Sequence, residues 1–216
     1  MQTKFKSLLL LFNLSFIFFL ACQNPGSKPN KKITAIPVTK EKKTLTIDIQ
    51  PFTDISKTQA DYIFSELKKL YPYVELKRSI AFPVSAFYPK RNRYRADSLL
   101  GYLDRITANE HVTIGLTNKD ISTNKGAIED WGVMGLGLCP GNACICSSFR
   151  LSKKDQLRQL FKVSIHELGH TQGLEHCPVR TCFMRDAEGK NSTGEEKEFC
   201  PAGKSKLMDK GWTFQY

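Results

Sequence analysis

The sequence predicts a single α+β domain that follows an N-terminal leader and a linker. Three observations support this fold class. Segments with the alternation of β-strands are interspersed with segments of helical periodicity, and a histidine-rich helix comes late in the chain. Residues 44–216 are long enough to bury one sizeable core. The hydrophobic content of 41% is that of an ordinary globular protein.

Residues 1–22 have the pattern of a bacterial lipoprotein signal peptide. Lys4 and Lys6 precede an apolar stretch over residues 8–20, which is too short to span a bilayer comfortably. The stretch ends in Phe-Leu-Ala-Cys, which is typical of a lipoprotein cleavage site with Cys22 as the lipidated residue. An ordinary cleaved signal and an uncleaved anchor are the alternatives.

Residues 23–43 are rich in Asn, Pro, Gly, Ser and Lys, and contain few large apolar side chains. Such a composition predicts a flexible tether between the lipid and the domain. The sequence therefore predicts an exported, membrane-anchored lipoprotein of the bacterial cell envelope.

Within residues 44–216, apolar spacing predicts elements one after another. The predicted strands and helices are a strand at 44–50, a helix at 56–70, a strand at 74–80, a helix at 97–106 and a strand at 112–116. The glycine-rich stretch 132–141 predicts strands and a turn, and 145–151 predicts a further strand. Residues 152–155 (Ser-Lys-Lys-Asp) have the character of an N-cap for the helix that follows.

That last helix carries a run from His166 to His176 that reads H-E-x-x-H-x-x-G-x-x-H. His166 and His170 lie one turn apart on one helix face, so both can direct a ring nitrogen at one ion. Glu167 lies about 100° around the helix and flanks the ion without ligating it. The bland alternative is a surface helix that binds no metal.

The third histidine requires the chain to reverse. If the helix continued, His176 would lie about 15 Å further along the axis than His166. Gly173 allows the reversal, because glycine adopts left-handed backbone conformations without steric cost. Three imidazoles can then hold one zinc ion and leave a position open for water.

The segment resembles the metzincin metallopeptidases, and the residues after it resemble the archaemetzincin family. Cys177 follows His176 directly, and Cys182 and Met184 then stand in a C-x-M arrangement. Looser similarity covers residues 44–210. The resemblance implies a metzincin-like catalytic domain with a mixed twisted sheet, an active-site helix that carries the zinc motif, and Met184 as a hydrophobic base under the metal. Read alone, Met184 is equally a core methionine.

These residues predict a zinc metallopeptidase whose substrates are peptides or proteins. His166, His170 and His176 are the predicted ligands of one catalytic Zn²⁺, and Glu167 is the predicted general base. The alternative functions are a catalytically inactive zinc-binding envelope lipoprotein that acts as a binding module, and a structural lipoprotein without an active metal.

The family resemblance also implies a second, structural zinc held by four cysteines, and here the chain departs from the pattern. Cys177, Cys182 and Cys200 match, but position 203 is Gly203. Cys146 is the candidate fourth partner, so the four thiols form either a second zinc site or two disulfides. An even number of cysteines in an exported protein favours disulfides.

The remaining cysteines, Cys139 and Cys144, flank a turn-like Pro-Gly-Asn-Ala tetrapeptide that can bring them together. The segment 145–150 is an edge strand for an extended peptide or, equally, a fully paired strand.

A formal net charge of +11 predicts attraction to an anionic membrane face, cell-wall polymer or acidic substrate. The simpler alternative is a well-solvated protein surface. No stacking motif supports nucleic-acid binding, and the chain is expected to be a monomer.

Overall fold

The computed structural model describes residues 45–214, which lie in one compact unit, Glu41–Tyr216. The predicted signal peptide (1–22), the lipidated Cys22 and the linker (23–43) lie outside the described residues. Within residues 45–214, none of the helices has the combined length and hydropathy needed to cross a membrane.

The described residues form strands with α-helices between and after them. In chain order the strands are β1 (Thr46–Pro51), β2 (Val74–Leu76), β3 (Phe87–Tyr88), β4 (Arg93–Arg95), β5 (His111–Thr117), β6 (Ile121–Lys125), β7 (Ile128–Val133), β8 (Gly135–Gly137) and β9 (Ala143–Ser147). The α-helices are α1 (Lys57–Lys68), α2 (Ala96–Ile106), α3 (Gln156–Thr171) and α4 (Pro201–Met208).

Two sheets organise the domain. The larger sheet has the strand order β2-β1-β5-β9-β8, in which every neighbouring pair is parallel except β8 with β9. The smaller sheet has the order β3-β4-β6-β7. The larger sheet therefore ends at β8, a three-residue antiparallel strand with one paired side.

The core lies on both faces of the larger sheet. On one face, buried apolar residues of α1 and α3 pack against alternate side chains of β1, β5 and β9. On the other face, α2 packs through Leu99 and Leu103 against Ile145 and the neighbouring β6 residue Ile121. Because alternate strand residues point to opposite faces, β9 serves both layers, with Cys144 and Cys146 in one and Ala143 and Ile145 in the other. The helix α3 packs on the end of the sheet formed by β9 and β8.

The predicted α+β class is confirmed, and the predicted elements in the first half are present with small shifts in their ends. α1 begins with a full capping box, in which Ser56 and Gln59 exchange side-chain-to-backbone hydrogen bonds. The predicted strand at 74–80 is shorter, because only Val74–Leu76 pairs continuously with β1.

Two details of the sequence analysis are settled by the structure. Of the two equal alternatives for the segment 145–150, the fully paired strand is confirmed, because β9 is paired with β5 on one side and β8 on the other. Residues 152–155 do not cap α3 through a side chain, since a turn of 3-10 helix intervenes at Lys153–Asp155. Instead, the side chain of Gln159 on α3 accepts a hydrogen bond from the backbone N–H of Ser152.

Candidate active site

The three histidines of the motif converge on one point. His166 and His170 lie one turn apart on α3, which ends at Thr171. Gly173 follows with a φ of +82°, a left-handed conformation that turns the chain back towards the helix. As a result, Nε2 of His170 lies 3.1 Å from Nε2 of His166 and 3.2 Å from Nε2 of His176.

Hydrogen bonds at the opposite ring nitrogens fix which nitrogen faces this point. Nδ1 of His166 donates to the carbonyl oxygen of Phe183 at 2.6 Å, and Nδ1 of His170 donates to that of Leu174 at 2.8 Å. A carbonyl oxygen only accepts, so the proton is on Nδ1 and the Nε2 lone pair is free. His176 has the carboxylate of Asp186 3.5 Å from its Nδ1.

These nitrogens fit a zinc ion. Zinc–imidazole bonds are about 2.0–2.1 Å long and tetrahedral, which places ligand nitrogens about 3.3 Å apart. The measured separations of 3.1 and 3.2 Å come close to that value. Three neutral imidazoles leave a fourth position, as in catalytic rather than structural zinc sites. His166, His170 and His176 could therefore hold a catalytic zinc.

Burial keeps two of these rings neutral. It lowers the pKa of His166 from 6.5 to about 4, with the neighbouring His170 as a second cause. Burial also lowers the pKa of His170. Both rings are therefore unprotonated at neutral pH, which is the form that binds a metal.

Glu167 is enclosed beside this point. Burial raises the pKa of its carboxyl group from 4.5 to about 8. The carboxylate lies directly over β8, where an added Cβ at Gly135 would be 2.5 Å from both Cγ and Oε1 of Glu167. Gly137, two residues on and on the same strand face, lies close to the backbone carbonyl of Glu167. The two glycines make the room that the glutamate occupies.

Met184 packs beneath the helix that carries the histidines. It is buried, and its Sδ would be 2.4 Å from a Cβ at Gly169, in the turn between Glu167 and His170. The preceding residue, Phe183, supplies the carbonyl that orients His166. Residues 183–184 thus support the histidine pair from below.

Comparison with known proteins identifies the family. The model of peptidase family M54 matches residues 38–208. The chain belongs to peptidase family M54. Archaemetzincin from Methanopyrus kandleri is 34% identical over 111 residues, which are 50% of this chain and 61% of that protein. Archaemetzincin from Haloquadratum walsbyi is 28% identical over 156 residues, which are 65% and 86% of the two chains.

The fold agrees with solved M54 relatives. The crystal structure of archaemetzincin from Archaeoglobus fulgidus complexed with malonate superposes with a TM-score of 0.65 at 27% identity, and covers 75% of this chain and 99% of that chain. The chain is therefore an archaemetzincin-like zinc metallopeptidase, as the motif and the residues after it predicted.

A cleft of about 400 Å³ lies beside His166 and His176. Its walls are the ends of β6 and β7, the start of β8, the part of α3 from Lys162 to Glu167, and the segment after Met184. Lys162, one turn before His166 on α3, donates to the carbonyl oxygens of Thr193 at 2.6 Å and Glu196 at 2.5 Å. This buried ammonium group ties the segment after Met184 to α3.

Sequence reasoning missed these supporting residues. The i, i+4 spacing of Lys162 and His166 places both on one helix face, which is a signal that could have found Lys162. The two-residue spacing of Gly135 and Gly137 likewise indicates a bare strand face that something must approach.

The cysteine prediction is partly wrong. Cys177, Cys182 and Cys200 come together, with their sulfur atoms all within 4.8 Å of one another. Cys146 is not in this group, because it lies on the interior strand β9 with its thiol beside that of Cys144. All six cysteines within residues 45–214 are free thiols, so Cys139 and Cys144, which the turn between them could have brought together, are not joined.

Proposed function

We propose that this chain hydrolyses peptide bonds at one zinc ion held by His166, His170 and His176, with Glu167 as the general base. The observation that carries the proposal is the convergence of three Nε2 atoms beside a buried carboxyl group. A bound zinc ion supplies Lewis-acid polarisation of the scissile carbonyl and acidifies water to a pKa of about 7.

The proposed role of Glu167 is to move one proton. Without a cation, burial favours the protonated carboxyl. A neighbouring positive charge favours the carboxylate, because opposite charges stabilise each other strongly in a buried site. The Glu167 carboxylate then accepts the proton of the attacking water and delivers it to the leaving amine nitrogen.

We further propose that β8 orients the substrate. One side of β8 is paired with β9, while its glycines face Glu167 and its first residue lines the cleft. An extended peptide that adds to this edge would form main-chain hydrogen bonds and present a carbonyl next to Glu167.

The cellular setting is a separate proposal, based on the leader sequence. Cys22 is the proposed lipid-bearing residue, residues 23–43 are the tether, and the monomeric peptidase domain acts at the cell envelope. Labelling cells with an alkyne fatty acid tests it. The wild-type chain should carry the label and fractionate with membranes, and Cys22→Ala should lose both properties. A labelled Cys22→Ala chain would contradict the assignment.

Glu167→Gln tests the general base. The amide cannot accept a proton, so hydrolysis of a peptide library should fall by roughly 10²–10⁴-fold. Elemental analysis should still find one zinc per chain, because Glu167 is not a ligand. Glu175→Gln is the matched control, since it removes an exposed carboxylate beside His176. Full activity in Glu167→Gln would refute the proposed role.

A further inference from the structure

The thiols of Cys177, Cys182 and Cys200 form a compact group, here called the trithiol group. The sulfur atoms of Cys177 and Cys200 are 3.7 Å apart, and all three lie within 4.8 Å of one another. Within residues 45–214, no further His, Cys, Asp or Glu ligand atom joins them. The group therefore offers three sulfur ligands and no fourth.

Backbone N–H groups donate to two of the three sulfur atoms, although burial raises the pKa of the Cys182 thiol to about 11. Sγ of Cys182 accepts hydrogen bonds from the backbone N–H groups of Met184 at 3.4 Å and Cys200 at 3.3 Å. Sγ of Cys200 accepts from the N–H of Gly203 at 3.5 Å and thereby caps the N-terminus of α4. Donors of this kind and a helix N-terminus stabilise negative charge on sulfur, the form that binds metals.

The surroundings are apolar on one side and open on the other. Cys182 is buried, and the packed rings of Phe183 and Phe199, 5.3 Å apart, belong to the same core cluster. Cys177 and Cys200 are only partly buried, so an ion can enter from their side.

The trithiol group does not fit a four-sulfur structural zinc, which needs a closed tetrahedral ligand set. The empty corner is at Gly203 in α4. A Cβ added there would lie 3.7 Å from Sγ of Cys200 and 3.6 Å from the Cβ of Phe199, both ordinary contacts. The space for a fourth side chain exists, but no ligand atom from residues 45–214 lies in it.

We propose that the trithiol group binds a soft monovalent cation, of the class of Cu⁺, through the sulfur atoms of Cys177, Cys182 and Cys200. Thiolates select soft ions, and Cu⁺ accepts three sulfur ligands without a fourth. Zn²⁺ bound there would keep an open position, which structural zinc sites do not have. Each thiol that becomes a ligand releases one proton, and the copper remains Cu⁺ throughout.

The test titrates Cu⁺ into the reduced full chain without oxygen, after zinc has been loaded at the histidines. A chromogenic Cu⁺ chelator competes for the ion, and X-ray absorption counts the sulfur ligands. We expect one Cu⁺ per chain with three sulfurs. Cys182→Ser should weaken binding by about 100-fold or more. Cys139→Ser, which removes an exposed thiol outside the group, should bind as wild type does.

Gly203→Cys keeps the proposal falsifiable if Cys182→Ser does not fold. Completing the fourth corner should raise zinc affinity by at least about 100-fold and add a second zinc per chain. A wild-type chain that binds a second zinc as tightly as Gly203→Cys would overturn the proposal. A folded wild-type chain that does not bind Cu⁺ would also overturn it. So would a disulfide bond between Cys177 and Cys200 in chain purified without reductant. Peptide hydrolysis, measured separately, reports on the histidine site alone.

Discussion

The contact between β8 and Glu167 predicts the effect of a single methyl group. In Gly135→Ala, the new Cβ would lie 2.5 Å from both Cγ and Oε1 of Glu167, whereas ordinary contact begins at 3.4 Å. Either the carboxylate or the strand must therefore move by about 1 Å. A misplacement of this size at a catalytic group can cost about 10²-fold in rate, or about 2.7 kcal/mol of transition-state stabilisation.

The assay measures kcat for a fluorogenic peptide together with zinc content and thermal unfolding. We expect kcat to fall by about 100-fold while one zinc per chain is retained, because the methyl group meets the carboxylate and not the histidines. Gly194→Ala is the matched control, since a Cβ at Gly194 meets no heavy atom within 4 Å. Unchanged kcat in Gly135→Ala would refute the argument, as would loss of zinc.

Three further outcomes are expected. Gly173→Ala should cost about 1–2 kcal/mol of stability, because the φ of this residue is +82°. It should also weaken zinc binding through His176, as measured by chelator competition. Equal zinc affinity in the two chains would contradict the role of this turn. Removing zinc with a chelator should lower the thermal stability, by about 4 kcal/mol relative to zinc at a thousandfold its Kd, and adding zinc back should restore it. Glu196 is buried, which raises its pKa above 4.5, so its contribution to stability is full below pH 4.5 and is lost as pH rises through that raised pKa. Glu196→Gln should reduce this loss in urea titrations at successive pH values, and identical pH profiles of the two chains would rule it out.

The convergence of the three histidines could be predicted because all its determinants are local. The four-residue spacing of His166 and His170 requires only a helix, and Gly173 supplies the one turn that the third histidine needs. The capping box of Ser56 and Gln59 is equally local and marks the start of α1. Such features depend on backbone geometry within one or two turns, so the sequence encodes them directly.

The parts that escaped prediction depend on distant pairing. β4 and β6 are short and carry polar residues, and the smaller sheet is joined by ion pairs such as Arg93 with Asp120 and Asp130. No hydrophobic period marks these strands. Likewise, which of β8 and β9 is the edge depends on the partner of each strand, and residues 145–150 would read alike in either position.

Lys162 couples the position of α3 to that of the cleft wall after Met184. Its ammonium group holds two carbonyls of the wall, and it lies a single turn before His166 on the same rod. A rotation of α3 would therefore move the histidines and the cleft wall together. A displacement of the wall would likewise shift the imidazole rings. Substitutions that reshape the wall to accept other peptides will therefore also change how firmly the metal is held.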